Sequence, residues 1–462
     1  MIRCMTVAVL ALAILSGGCS STPKQEGTLT PGSSIAALAK NQSRTTKEPA
    51  KAERSSVAKK AGEKGKTEKA EKKSDTPPVS LERIRKMAEE GSGSAQATLG
   101  RMYFEGMEGL PKDYTQAVSW FRKAAEQGNP QGQFDYAICL DSGLGVTANA
   151  EEALVWYGKA AERGVIEAQL NAALSYEAAG KYAESARFFE MAAAQGHTGA
   201  MRKLAEFARK GLGAPGDAER AIRYLRDAAK RGDGRAQVAL ADCYREGFGV
   251  PQDYREMLSW LWLAAGNSDP EAMAKIGLCC ASGLGLKKDP AGAAKWYLQS
   301  ANAGYAPAQA ALGNCYTTGF GVDKDEAAGF SWFQRAAEQN DADGQFGLGM
   351  SYALGRGTAK DPVQGAASVR KAAEAGHTEA MYNLGVFCEE GVGAPADAAE
   401  AVKWYQRAAA KQDSRALCAL GRCYAEGKGV AADPAKGRFY LEQAAQLGSE
   451  EAKGILSRLP QP

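Results

Sequence analysis

Residues 308–337 read AQAALGNCYTTGFGVDKDEAAGFSWFQRAA, and variants of this stretch recur along most of the chain. The small-residue pair that closes it has equivalents beginning at Ala124, Ala160, Ala192, Ala228, Ala264, Ser300, Ala372, Ala408 and Ala444. Successive pairs are 36 residues apart, apart from one separation of 32. A fixed period of roughly 20–50 residues indicates a solenoid, because each unit is too small to bury its own apolar face and must stack on its neighbours.

Each unit contains two predicted helices. The apolar side chains of the second helix follow i, i+3, i+4, i+7 spacing, which places them on one face. In the first unit these are Ala117, Trp120, Phe121, Ala124 and Ala125. The first helix has one position that is always Gly or Ala, which predicts a close approach between the two helices. Its occupants are Gly100, Ala137, Ala173, Ala205, Ala241, Gly277, Gly313, Gly349, Gly385 and Gly421.

Polar residues and glycines mark the helix ends. Asp or Asn stands eleven residues before the small-residue pair in nine units, where an N-cap of the second helix is expected. These residues are Asp113, Asn149, Asp217, Asp253, Asp289, Asp325, Asp361, Asp397 and Asp433. Gly after the pair is predicted to end that helix in a left-handed conformation. A Gly-x-Gly connection joins the two helices in most units, and the third unit lacks the loop altogether, which accounts for its four missing residues.

The pattern A-x-x-x-L-G-x-x-Y-x-x-G-x-G-V-x-x-D-x-x-x-A-x-x-W-Y/F-x-x-A-A resembles the Sel-one-like repeat (SLR) family, whose α/α repeats are related to tetratricopeptide units. It covers residues 93–459 in ten imperfect copies. The resemblance implies an all-α solenoid, a right-handed superhelix of about ten helix pairs whose first helices line a concave face. It also implies an adaptor or scaffold for protein complexes. With a capping helix predicted after Ser449, the solenoid is assigned to residues 81–462.

Residues 1–18 have the features of a secretory signal peptide. Arg3 precedes a short apolar run, Val7–Leu15, which is followed by small residues. The run is too short to span a bilayer, which requires about 20 apolar residues. Gly18-Cys19 resembles the lipobox of bacterial lipoproteins, which implies lipidation of Cys19, although Ser16 stands where lipoboxes favour Leu. Secretion after cleavage elsewhere is the alternative. Ser20, rather than Asp, implies an outer-membrane anchor facing the periplasm.

Residues 19–80 are predicted to be a disordered, Lys-rich linker. Residues 1–79 contain 14 Lys/Arg and 7 Asp/Glu, whereas the remainder contains 43 and 47. With no aromatic residue, the linker cannot bury enough apolar surface to offset its ordering entropy. It is a tether in one interpretation and binds anionic lipid or cell-wall polymer in the other. Because the repeat region is net acidic and the protein is predicted to be exported, nucleic acid is not an expected partner.

No catalytic constellation is recognisable, so we expect no enzyme activity, no cofactor and no metal site. The chain has two histidines, His197 and His377, and both occupy a turn position that varies between units. The recurrent aspartates are explained as helix caps. The cysteine that recurs in the first helix reads as a buried thiol, and an inter-unit disulfide is the rival interpretation. Cysteines at this position are Cys139, Cys243, Cys279, Cys315 and Cys423.

Polar residues on the first helices form the predicted partner-binding set. It consists of Arg101, Asp135, Lys203, Glu206, Asp242, Lys275, Asn314, Asn383 and Arg422. We expect a membrane-anchored adaptor that binds protein partners there. The alternative is an accessory factor for polysaccharide export or cell-wall processing, against which the expected burial of the Trp residues counts. Replacing Asp242, Lys275 and Asn314 by Ala is expected to abolish partner capture without lowering thermal stability.

Overall fold

The computed structural model describes residues 80–458, and this part of the chain consists of 22 α-helices without a strand. The predicted signal peptide, the lipidation site Cys19 and nearly all of the linker lie outside the described residues. The chain divides between Arg231 and Gly232 into two compact units. They are called here the N-terminal unit (80–231) and the C-terminal unit (232–458).

The N-terminal unit contains nine of the described helices: α1 (Leu81–Glu89), α2 (Gly93–Glu105), α3 (Tyr114–Glu126), α4 (Pro130–Ser142), α5 (Ala150–Glu162), α6 (Ile166–Ala178), α7 (Tyr182–Ala194), α8 (Thr198–Lys210) and α9 (Ala218–Lys230). From α2 onward, even-numbered helices are the first helices of repeats and odd-numbered helices the second. The unit therefore holds repeats one to four, preceded by α1.

The C-terminal unit contains the remaining described helices: α10 (Gly234–Glu246), α11 (Tyr254–Gly266), α12 (Pro270–Ser282), α13 (Pro290–Asn302), α14 (Ala306–Thr318), α15 (Glu326–Glu338), α16 (Ala342–Leu354), α17 (Pro362–Glu374), α18 (Thr378–Glu390), α19 (Ala398–Ala409), α20 (Ser414–Glu426), α21 (Pro434–Gln446) and α22 (Glu450–Leu456). They form repeats five to ten, followed by α22. The prediction of an all-α solenoid of ten helix pairs is confirmed.

The predicted helix starts are also confirmed. Asp325 is typical, because its Oδ1 accepts hydrogen bonds from the backbone N–H groups of Ala327 (3.0 Å) and Ala328 (2.9 Å). The other Asp and Asn residues predicted as caps do the same for their own helices. In the third repeat Lys181 takes this position without a side-chain cap, since the connection has shortened to three residues.

Small residues let the two helices of a repeat approach closely. A Cβ atom added at Gly385 of α18 would lie 2.5 Å from Cε1 of Tyr405, a fully buried ring on α19. Gly100, Gly277, Gly313 and Gly421 meet an aromatic or Leu side chain in the same way. The first residue of each small-residue pair on the second helices is fully buried. The first helix therefore packs its backbone directly against large side chains of the second.

The recurrent cysteines lie in this core. Cys139, Cys243, Cys279, Cys315 and Cys423 are at most 5% exposed, which confirms the prediction of buried thiols. Burial raises the pKa of the thiols of Cys139, Cys279 and Cys315 to about 12. All eight cysteines of the described residues are present as free thiols.

Each unit has a short helix packed on its terminal repeat. In the N-terminal unit, Leu81 and Ile84 of α1 pack against Leu99 of α2. The sequence analysis did not predict α1 as a helix. In the C-terminal unit, Ala452 of α22 packs against Leu441 of α21. Each of these helices covers the apolar face of a terminal repeat, which has no further repeat to pack against on that side.

Candidate functional site

The nine predicted partner-binding residues occupy two positions of the first helix, about one turn apart. None of them is buried: Arg101 and Arg422 are exposed, and the other seven side chains are half-buried. The outward side of the first helices is called here the first-helix face, taken separately in each unit. Its residues are in a place where a partner can reach them.

Five of these nine residues form ion pairs that link successive repeats, and two of the pairs join residues that both belong to the predicted set. In the N-terminal unit, Arg101 Nη2 lies 3.0 Å from Asp135 Oδ2, and Lys203 Nζ lies 2.8 Å from Glu177 Oε1. Burial raises the pKa of the Asp135 carboxyl, and the charge of Arg101 opposes that rise. These binding candidates therefore also connect successive repeats through ion pairs, a role that the sequence analysis did not assign.

The same pairing occurs in the C-terminal unit. Lys275 Nζ of α12 lies 2.6 Å from Asp242 Oδ2 of α10, and both side chains are only about one-fifth exposed. Near the end of the unit, Arg422 Nη1 pairs with Glu451 of α22 at 3.1 Å. Because Lys275 and Asp242 hold two repeats together, the expectation that their replacement leaves stability unchanged does not fit this geometry.

The remaining candidates bond within their own repeat. Glu206 accepts a hydrogen bond from Lys210 at 2.7 Å. Burial tends to raise the pKa of Glu206, but this bond and the charge of Lys203 hold it below its usual value. Asn314 and Asn383 donate their amides to carbonyl groups one turn earlier, at 3.1 and 2.8 Å. Their side-chain carbonyl oxygens remain available to a partner.

Sequence reasoning missed a row of buried glutamines. Gln96, Gln133, Gln169 and Gln309 each donate an amide N–H to a carbonyl near the end of the preceding helix, at 3.0 to 3.3 Å. Each of those carbonyls also accepts the backbone N–H of the glycine that follows its helix, at 2.9 to 3.2 Å, so the glutamine supplies a second hydrogen bond, from the next repeat unit along the chain. The sequence signal for these glutamines was a polar residue that recurs within the apolar stripe of the first helix. The glutamines hold repeats in register and are not positioned for chemistry.

The two histidines are helix caps. His197 Nδ1 accepts from the Ala200 N–H (3.0 Å), and His377 Nδ1 accepts from the Ala380 N–H (2.9 Å). His377 Nε2 also lies 2.8 Å from Asp343 Oδ1. Within residues 80–458 no group of three or more His, Cys, Asp or Glu side chains is arranged to hold a metal ion. An open cavity of about 410 Å³ is lined by Arg122, Tyr136 and Asn149 among others.

The Trp residues correct the sequence analysis, which expected them to be buried. Trp404 is buried, Trp262 is 43% exposed, and the others are half-buried at the surface of the second helices. The core position belongs to the following residue, as Phe333 beside Trp332 illustrates. Cationic groups cover several rings: Lys123 lies 4.2 Å from Trp120, Lys159 3.7 Å from Trp156, and Arg335 4.5 Å from Trp332.

Comparison with known proteins accounts for this architecture. The model of the Sel1 repeat matches the chain in ten consecutive copies, at residues 93–129, 130–165, 167–197, 198–233, 234–266, 270–305, 306–341, 342–377, 378–413 and 414–449. The chain belongs to the Sel1 repeat family. Proteins of this family mediate protein–protein interactions and are in general not enzymes.

Two solved structures show how far the likeness of this Sel1 repeat protein extends. A protective antigen of uropathogenic Escherichia coli that displays an SLR fold is 31% identical, with 82% of each chain covered and a TM-score of 0.61. A Sel1 repeat protein from Oxalobacter formigenes is 24% identical, with 82% of this chain and 90% of that chain covered and a TM-score of 0.47.

A curated relative matches only locally. The secretory immunoglobulin A-binding protein EsiB of Escherichia coli is 50% identical over 46 residues, which is 10% of this chain and 9% of EsiB. A match of that length corresponds to little more than one repeat. No helix within residues 80–458 is both long and apolar enough to cross a membrane.

Proposed function

We propose that this Sel1 repeat protein is an exported, lipid-anchored adaptor that holds protein partners on its first-helix face. The observation that carries the proposal is the set of partly exposed ion pairs between successive first helices, such as Asp242–Lys275. Side chains already fixed by such pairs lose little further entropy when a partner binds. Charges of both signs at fixed positions favour a partner with a complementary pattern, which is a source of specificity.

The cellular setting belongs to the proposal. Cys19, as the lipidated residue, would anchor the protein at the outer membrane, with the linker of residues 19–80 as a tether. The basic composition of that linker would favour anionic lipid or cell-wall polymer nearby. Replacing Cys19 by Ser should move the protein from the membrane fraction to the soluble fraction. Persistence in the membrane fraction would argue against lipidation at this residue.

Exchanging the charges of Asp242 and Lys275 tests partner binding separately from the ion pair between the repeats. The double variant Asp242→Lys/Lys275→Asp retains an opposite-charge pair between α10 and α12 but inverts the pattern that a partner meets. We expect a crosslinking pull-down from envelope extract to lose its main protein partner, while thermal stability falls by no more than a few degrees. The matched control is Arg370→Glu/Glu400→Arg, which exchanges a 2.7 Å inter-repeat pair between the second helices α17 and α19. Unchanged capture by the first variant would count against the first-helix face.

The exposed Trp rings favour a second candidate, an accessory factor for polysaccharide export or cell-wall processing. Rings half-exposed beneath Lys or Arg, as at Trp156 and Trp332, combine an apolar surface with positive charge. Such a surface suits an anionic glycan. Retention on an anionic glycan column that is lost in Trp332→Ala would support this role, whereas free passage of the wild-type protein would remove it.

A further inference from the structure

One position of the second helix, two residues before the small-residue pair, changes its chemistry along the chain. It is polar in seven of the ten repeats, and in two of these it contacts the aromatic residue of the next repeat. Glu190 accepts a hydrogen bond from the Tyr224 hydroxyl (3.4 Å), and the Arg370 guanidinium lies 5.9 Å from the Trp404 ring. The polar side chain therefore lies against a ring at the surface.

In repeats five and six this position is Trp262 and Leu298 instead. The rings of Trp262 and Trp296 meet edge to face at 5.1 Å. Trp262 is 43% exposed, Leu298 37%, and the neighbouring Leu263 49%. We call these four residues, Trp262, Leu263, Trp296 and Leu298, the Trp patch. It lies on α11 and α13, within the C-terminal unit, on the side formed by second helices.

The size of the Trp patch limits what it can bind. An aromatic side chain carries about 150–250 Å² of surface, so the exposed parts of the four side chains sum to roughly 300 Å². Patches of this order on monomeric proteins are often functional. A stable protein dimer buries about 800 Å² per partner, which is well above this area. The patch is therefore too small for a second copy of this chain and matches a short segment with a few apolar anchors.

The polarity of the Trp patch argues against a sugar. Hydroxyl groups that lose water need hydrogen-bond partners, and each one left unpaired costs about 1–3 kcal/mol. The Ser259 hydroxyl on α11 already donates to the Glu256 carbonyl (2.8 Å). The four patch side chains supply indole N–H groups as their only polar atoms. The surface suits aliphatic and aromatic side chains better than glycan.

The charges around the Trp patch indicate the polarity of the partner's flanks. Arg255, Glu256 and Lys295 are the charged residues of α11 and α13, and all three are exposed. Arg255 lies two helical turns before Trp262, and Lys295 directly precedes Trp296. Neither cation forms an ion pair with any other described residue. A segment that lies across the patch would therefore gain from carrying Asp or Glu beside its apolar side chains.

We propose that the Trp patch binds an amphipathic helix of another protein, with bulky apolar side chains at i and i+4 and acidic flanks. Helices of this kind bind apolar surfaces through such anchors. The proposal does not rest on the first-helix face, because the patch consists of second-helix residues alone. Loss of binding at one surface therefore leaves the other to be tested separately.

The test uses the full chain and a fluorescently labelled, 18-residue amphipathic helical peptide of Leu and Glu, followed by anisotropy. We expect saturable binding, and at least a tenfold loss of affinity in both Trp262→Glu and Leu298→Glu. The matched control is Phe439→Glu, because Phe439 is 53% exposed on α21 of the same unit. This control should bind within twofold of wild type. A Leu and Lys peptide should bind at least fivefold more weakly than the Leu and Glu peptide.

Other outcomes overturn the proposal. Equal binding by wild type and Trp262→Glu, or no binding of the peptide at millimolar concentration, would do so. The proposal also fails if Trp262→Glu instead abolishes dimers in sedimentation, binding to phosphatidylcholine vesicles, or retention on glycan. Circular dichroism of each variant checks that the helices are intact. Because both substituted side chains are partly exposed, we expect unchanged spectra.

Discussion

The ion pair between Asp242 and Lys275 allows the role of the first-helix face in stability to be measured. Each partner keeps a second contact if the other is removed, since Arg245 Nε lies 3.5 Å from Asp242 and Glu271 Oε1 lies 3.4 Å from Lys275. Exposed pairs contribute about 0–1 kcal/mol, and breaking a fully buried pair costs about 3–5 kcal/mol. With both side chains about one-fifth exposed, we expect a coupling energy of about 1 kcal/mol.

The cysteines provide a local assay of this energy. Cys279 is buried on α12 and reacts with a thiol reagent only after local opening. In the double-mutant cycle Asp242→Ala, Lys275→Ala and both, labelling of Cys279 followed by mass spectrometry reports the opening equilibrium. A coupling of about 1 kcal/mol corresponds to about a fivefold departure from additivity. The labelling rate of Cys279 should rise in each single variant.

A more exposed pair of similar length serves as the control. Lys453 Nζ and Glu450 Oε1 of α22 are 2.7 Å apart, but their side chains are 51% and 84% exposed. The same cycle, read at Cys418, which packs beside α22, should give a coupling below about 0.3 kcal/mol. A coupling near zero for Asp242–Lys275, or equal values for the two pairs, would refute the argument from burial.

Four further predictions concern the repeat core and its turns. Gly385→Ala should destabilise the protein by about 1–3 kcal/mol in urea unfolding, because its Cβ would overlap the Tyr405 ring. Gly158→Ala, in a helix with open space around the site, should stabilise it by about 0.5–1 kcal/mol. Gln412 has φ of 61°, so Gln412→Gly should raise stability by about 0.5–1 kcal/mol. Raising the pH from 8 to 10 should lower the free energy of unfolding by about 1 kcal/mol less in Cys315→Ala than in wild type.

The alkaline prediction follows from the direction of the pKa shift. The unfolded thiol ionises near 9 and the folded Cys315 thiol near 12, so the folded state loses stability as the pH rises above 9. The comparison is between pH dependences, which removes the constant cost of the cavity left by Ala. Equal pH dependence in the two proteins would show that Cys315 ionises freely in the folded state. For the glycines, destabilisation in both variants would contradict the packing argument.

The repeat architecture was predictable because its signals are local and recur. The spacing of Asp325 and its equivalents identified the N-caps, and the Gly-or-Ala position of Gly385 predicted close helix packing. Each signal acts within a few residues, where helix geometry converts spacing into position. The missing loop of the third repeat was visible for the same reason.

Contacts between repeats were harder to predict. The partners of Lys275 and Gln309 lie in the preceding repeat, where many register choices are compatible with the sequence. Polar residues on the first helices were therefore recognised as exposed but not as paired. The Trp residues were misassigned because Trp332 and Phe333 are adjacent in one apolar stripe, and the sequence alone does not show which of them occupies the core.

The most direct test of the adaptor proposal is a crosslinking pull-down from envelope extract with the full chain, followed by mapping of the crosslinked residues. We predict one stoichiometric protein partner, competed off by free bait, with crosslinks concentrated on first-helix residues such as Lys275 and Lys203. Recovery of glycan or cell-wall material without a stoichiometric protein would contradict the proposal. So would crosslinks confined to the second helices.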